Sequence, residues 1–339
     1  MKRQEMNGKE RFFCHMDDME ADRCSVINPT SIATAESCKR LGIKFNDVHL
    51  DSEKMAALAA YGHLELGFDS VMPYFGVVNE AAALGCIVDW GGEYEMPSVK
   101  GSVFKEPDEF VLPSDLLDRK PMKTIIDAIG ILKQKLGDSV LIIGKVFGPW
   151  TLSYNLHGVQ DFLIETITDP EMVIGFLRSF TDITIKFAEA QFDAGADILT
   201  LADHATADLV SAETYRDFLL PVHKQINSYF SDRKFILHCC GNTTDRIKYF
   251  SEAGFPLFHY DSKNDTKKVL SEAGKMKLTG CVNNPEVLLK GTPADVKKQT
   301  AEIIAAGIRI ISPECAIPLK VPAANLQAIA DHVKKEGSI

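Results

Sequence analysis

The chain has 339 residues, 45% hydrophobic and 25% charged, which excludes disorder or a coiled coil as the dominant state. Its net charge of −10 argues against a nucleic-acid partner, whose binding surface is normally basic. The longest apolar run, Ala81–Val88, is far short of the ~20 residues that a membrane-spanning helix needs.

The N-terminus, MKRQEMNGKERFF, has mixed charge and no apolar h-region, so it does not read as a signal peptide. The expected location is cytoplasmic, with no membrane partner. Eight cysteines, Cys14, Cys24, Cys38, Cys86, Cys239, Cys240, Cys281 and Cys315, then read as free thiols or metal ligands rather than disulfides. Residues 1 to about 110 are less regular than the rest, with prolines scattered through them.

From residue 120 the chain alternates. Met122–Leu136 has helical apolar spacing, and Val140–Val146 (VLIIGKV) suits a strand buried on both faces. Asp169-Pro170 opens a helix that runs to Gly195, followed by a strand at Asp197–Leu201. Ser211–Phe230 reads as helix and Lys234–Cys240 as strand. The pairs Asp245–Ala253 and Leu257–Asp261, then Asp265–Ala273 and Lys277–Val282, repeat the pattern. Thr292–Ala306 is a helix with a capping-box-like start, Ile308–Ser312 the last strand and Ala323–Lys335 the last helix. Repeated β-α units imply a parallel sheet. No GxGxxG or GxxxxGK[ST] is present, which disfavours a nucleotide-binding open sheet. The expected fold class is α/β, a single (β/α)8 TIM barrel spanning residues 1–339.

The sharpest local signal is His238-Cys239-Cys240-Gly241 at the end of a predicted strand. Residues i and i+2 share a strand face, so His238 and Cys240 project together while Cys239 points away. In a barrel the C-terminal strand ends form the active-site face, and Cys315 follows another such end. One histidine and two cysteines suit zinc with an open fourth position. On spacing alone the same three residues also fit a packed core. Glu80, in the apolar run VVNEAAALG, is either a buried carboxylate with a partner or an exposed helix start. Asp203-His204 follows a strand and faces either the pocket or a turn. Asp261 ends another strand, as a fourth metal ligand or as an acceptor for His238. Glu80, Asp203 and Asp261 are the candidate cofactor-binding residues. His49 and His63 lie on helical stretches and read as structural. Phe147-Gly148-Pro149-Trp150 fits a pocket wall or a tight turn.

Five segments carry a family resemblance: Phe45–Val71 (FNDVHLDSEKMAALAAYGHLELGFDSV), Gly148–Leu152 (GPWTL), His238–Thr243 (HCCGNT), Asn284–Pro293 (NPEVLLKGTP) and Ser312–Ile329 (SPECAIPLKVPAANLQAI). Across nearly the whole chain they resemble the uroporphyrinogen decarboxylase superfamily, in its zinc-dependent methylcobamide:coenzyme M methyltransferase-like branch. The resemblance implies a uroporphyrinogen decarboxylase-like barrel, with zinc on His238, Cys240 and Cys315 as metal-binding and catalytic residues. It implies methyl transfer between a methylcorrinoid, supplied by a partner corrinoid protein, and a small-molecule methyl acceptor: coenzyme M, another thiol or tetrahydrofolate. No DxHxxG corrinoid motif is present. A tetrapyrrole decarboxylase is the first rival, but the arginine-rich segment of such enzymes is replaced here by SVINPTS (Ser25–Ser31). A non-catalytic zinc- or corrinoid-binding protein is the second. Glu314 and Ala316 flank Cys315 where the coenzyme M branch has glycines. Glu314 is expected either to face solvent or to face the pocket and disfavour an anionic acceptor.

Overall fold

The computed structural model describes residues 5–336. Eight parallel strands form its centre: β1 (Ser25–Val26), β2 (Ser70–Val71), β3 (Leu141–Phe147), β4 (Ile198–Ala202), β5 (Phe235–His238), β6 (Leu257–His259), β7 (Lys277–Val282) and β8 (Ile310–Pro313). Their order around the sheet is β1-β8-β7-β6-β5-β4-β3-β2. The two ends meet. The Asp69 amide donates to the Val26 carbonyl at 2.7 Å, and the Val26 amide donates back to the Asp69 carboxylate at 2.8 Å. Asp69 also pairs with Arg11 at 2.7 Å and Arg23 at 2.9 Å. The fold is the expected (β/α)8 barrel.

The strands form because both their faces are covered. All seven residues of β3 are buried, as a sheet wrapped by helices requires. A Cβ added at Gly144 would lie 2.1 Å from Leu199 Cδ2 and 2.5 Å from Gln191 Oε1. Only glycine lets helix Pro170–Asp193 come this close. Gln191 uses that approach to clamp the neighbouring residue: it accepts from the Lys145 amide at 2.9 Å and donates to the Lys145 carbonyl at 2.8 Å.

The expected elements recur with shifted ends. Strand β5 stops at His238 rather than Cys240, β6 at His259 rather than Asp261, and β8 runs to Pro313. In the first two cases the residues beyond the strand have left the ladder to make the turns described below. Helix Ala212–Tyr229 carries a wider turn at Tyr215–Leu219. The N-terminal part supplies β1 and β2, helices Gly8–Met16 and Ser52–Leu64, and a small antiparallel hairpin pairing Ile87–Asp89 with Ser98–Lys100. Among the described residues no helix is long and apolar enough to cross a membrane.

Candidate metal centre at the barrel mouth

His238, at the end of β5, and Cys240, two residues beyond it, meet Cys315 from the loop after β8. His238 Nε2 lies 3.0 Å from Cys240 Sγ and 3.4 Å from Cys315 Sγ, and the two sulfurs are 2.7 Å apart. Both cysteines are free thiols. Among the described residues this is the one cluster of three or more His, Cys, Asp or Glu ligand atoms close enough to share an ion.

Backbone contacts aim each ligand. His238 Nδ1 lies 3.2 Å from the His259 carbonyl. A carbonyl only accepts, so that nitrogen carries the proton and Nε2 turns its lone pair to the sulfurs. Burial, then the neighbouring His259 and His204, holds the His238 pKa well below the ordinary imidazole value, so the ring is neutral near pH 7. The Cys240 thiol is pushed up by its hydrogen bond to Cys315 and by burial. The turn after Cys240 is pinned from the loop after β6. The Gly241 amide donates to Asp261 Oδ2 at 2.9 Å, and the Asn264 side chain donates to the Gly241 carbonyl and accepts from the Thr243 amide. Cys239 is buried on the other side, its thiol 3.9 Å from the Cys240 carbonyl.

The other sequence candidates are placed as follows. Asp261 spends both oxygens on backbone amides, Gly241 and Lys263. It is neither in the ligand cluster nor the acceptor for His238. Asp203 is buried and turned away from the sulfurs. It accepts from the amide and hydroxyl of Thr151 at 2.7 and 3.0 Å and lies 3.1 Å from His223 Nε2, whose other nitrogen meets Tyr215. A Cβ at Gly148 would lie 2.1 Å from the Asp203 carboxylate, so the glycine serves this close approach. His204, next in sequence, does face the centre, edge-on to the His238 ring at 5.8 Å. Glu80 is buried: it accepts from the Tyr74 hydroxyl and from the Phe147 amide. Burial raises its pKa.

Glu314 departs from both expectations. It is 4% exposed, and it accepts from the backbone amides of Ser262 at 3.0 Å and Asn284 at 2.7 Å. It faces neither solvent nor an open pocket; it ties together the loops after β6, β7 and β8. The Asn284 side chain reinforces this by donating to the carbonyls of Cys315 and Ala316.

Sequence reasoning missed Lys145. Its side chain is buried within β3, two residues before Phe147, which is in register with Ala202 and through it with His238. The signal was present: a lysine in LIIGKVF, a run buried on both faces, must find partners inside.

A model of the family described as uroporphyrinogen decarboxylase (URO-D) matches residues 7–336. The chain is 30% identical to the methylcobamide:CoM methyltransferase MtbA of Methanosarcina acetivorans, over 97% of this chain and 98% of the relative. It is 30% identical to a methylated-thiol--coenzyme M methyltransferase of Methanosarcina mazei, over 89% of this chain and 82% of the relative. A solved methyltransferase from Methanosarcina mazei superposes with a TM-score of 0.93 at 28% identity, covering 98% of this chain and 99% of that one.

Proposed function

From a chain that belongs to the uroporphyrinogen decarboxylase (URO-D) family, we propose a zinc-dependent methyltransferase that moves a methyl group from a corrinoid on a partner protein to a small thiol. The observation that carries this reading is the convergence of His238, Cys240 and Cys315 at the mouth of the barrel. The donor set fits the ion: two soft thiols and one neutral imidazole already set in the ligating tautomer. Zinc at this point would supply the Lewis acidity that lets an acceptor thiol ionise at neutral pH.

This chain's residues would do the rest. His238, Cys240 and Cys315 hold the centre, and the His259 carbonyl keeps the imidazole lone pair directed. The acceptor sulfur attacks the methyl carbon of methyl-cobalt. The carbon–sulfur bond forms as the carbon–cobalt bond breaks, its electron pair stays on cobalt, and the thiol proton goes to solvent. The corrinoid is presented by another protein, because this chain has no DxHxxG motif.

Tetrapyrrole decarboxylation has less support. Arg246, beside the site, is spent on the carbonyls of Ala205 and Val210 and on Asp245, and Ser25–Ser31 contains no arginine. The deciding experiment incubates zinc-loaded protein with methylcobalamin and candidate acceptors: 2-mercaptoethanesulfonate, homocysteine, 2-mercaptoethanol and tetrahydrofolate. Methylated thiol with loss of methylcobalamin absorbance is the expected result. Metal binding without turnover on any acceptor would identify a non-catalytic binding protein instead.

A further inference from the structure

Lys145 lies inside the barrel. It is in register with Thr200 of β4, and the Thr200 hydroxyl crosses the interior to the Pro29 carbonyl; residues in register share a sheet face. The Gln191 clamp fixes its backbone. Its ammonium donates to the Gly76 carbonyl at 2.9 Å and lies 4.3 Å above the centre of the Tyr74 ring and 5.2 Å from that of Phe147. An ammonium has three N–H donors and no acceptor, so this one carries donors beyond those the protein uses. Among the described residues no carboxylate forms an ion pair with it. Glu80 acts on it only from a distance, with both oxygens already engaged by Tyr74 and Phe147. A buried, under-partnered cation is costly unless an anion completes it. Phe147, two residues on and on the same face, is in register with Ala202 and through it with His238. Lys145 therefore lies one layer below the metal centre inside the barrel, and an anion beside it is also near the site of methyl transfer.

We propose that Lys145 is a specificity-determining residue: its ammonium receives an anionic group on the methyl acceptor, which is a short thiol carrying a sulfonate or carboxylate. This rests on the methyltransferase reading. Burial pulls the Lys145 pKa down to about 8, which leaves it mainly charged at neutral pH. Glu314 turns both carboxylate oxygens to backbone amides, those of Ser262 and Asn284, so its side chain is held by the loops rather than offered to an acceptor.

The test compares 2-mercaptoethanesulfonate, 3-mercaptopropionate and uncharged 2-mercaptoethanol as acceptors, with wild type, Lys145→Met and Lys145→Arg. The preference for anionic over neutral thiol, as a ratio of kcat/KM, should fall roughly tenfold in Lys145→Met, mostly through KM, as the loss of one charge-assisted contact predicts. Lys145→Arg should recover part of it. The first two thiols separate a sulfonate from a carboxylate preference. Calorimetry with ethanesulfonate, which has no thiol, gives a readout independent of turnover: binding to wild type and loss in Lys145→Met are expected. An unchanged preference ratio, or a failure of ethanesulfonate to bind wild type, overturns the proposal. If wild type methylates none of these thiols, nor homocysteine or tetrahydrofolate, the methyltransferase reading fails while ethanesulfonate binding still decides the role of Lys145. Thermal unfolding of each variant shows whether it is folded, and Lys145→Arg keeps the comparison open if Lys145→Met is not.

Discussion

Cys239 and Cys240 are neighbours with different surroundings: Cys240 joins His238 and Cys315, while Cys239 is packed behind them. Purified protein should carry about one zinc per chain, and Cys239→Ala should keep it. His238→Ala, Cys240→Ala and Cys315→Ala should each lose it, read by elemental analysis. The ligand pair was legible because side chains alternate along an extended chain, although Cys240 lies past the end of the strand. What was not legible is where side chains go once the ladder stops. Asp261 and Glu314 both sit beyond strand ends. Asp261 accepts from an amide of its own loop and one of the loop after β5, and Glu314 from amides of two other loops, long-range partners that no local pattern reveals. Glu314→Ala would leave two amides without this acceptor, Asn284 buried and Ser262 half-buried. It should cost about 2 kcal/mol or more in urea unfolding and leave the ratio of sulfonate to neutral thiol turnover where it was.

At the level of elements, β3 was the easiest strand to read, since a continuous apolar run flanked by helical patterns has few other meanings. Its glycine was not readable, because the reason for it lies on another element. Gly144 makes room for Gln191 of helix Pro170–Asp193, whose hydrogen bond to the Lys145 amide joins residues 46 apart in sequence. Gly144→Ala should force the helix off the strand and lower stability by about 1–3 kcal/mol, measured as the shift in urea midpoint. The strands β1 and β2 were the least legible. Each is two residues long and is held by its neighbours in the ring rather than by its own composition.

For the whole molecule, His49 is one of several buried imidazoles, His238 and His259 among them, whose lowered pKa values make stability fall in acid. The His49 ring packs edge-on to Phe45 and stacks on Trp90, and neither ring nitrogen has a hydrogen-bond partner among the described residues. Burial, helped by the charge of Lys145, lowers its pKa to about 4. The folded pKa is below the unfolded one, so between these values the unfolded chain binds more protons. The neutral ring's contribution is complete above about pH 6.5 and is lost as pH falls toward 4, worth about 3 kcal/mol in all. His49→Phe keeps a ring without the titration. The gap in unfolding free energy between pH 7 and pH 4.5 should shrink in that variant by most of that amount. The residue was read from sequence as structural, and its packing agrees; the unsatisfied nitrogens depend on the fold around it.

The meeting of β1 with β2 makes the ring a hoop fastened by a clasp, and Asp69 is the catch. Arg11 and Arg23 grip that catch from outside the sheet, so helix Gly8–Met16 serves as its pin although it lends no strand to the hoop. Pulling the pin should loosen one joint before the hoop as a whole gives way. In Arg11→Met the amides of Val26 and Asp69 should exchange with deuterium well ahead of those in β3 and β4. Uniform acceleration around all the strands would mean that the hoop has no preferred place to part.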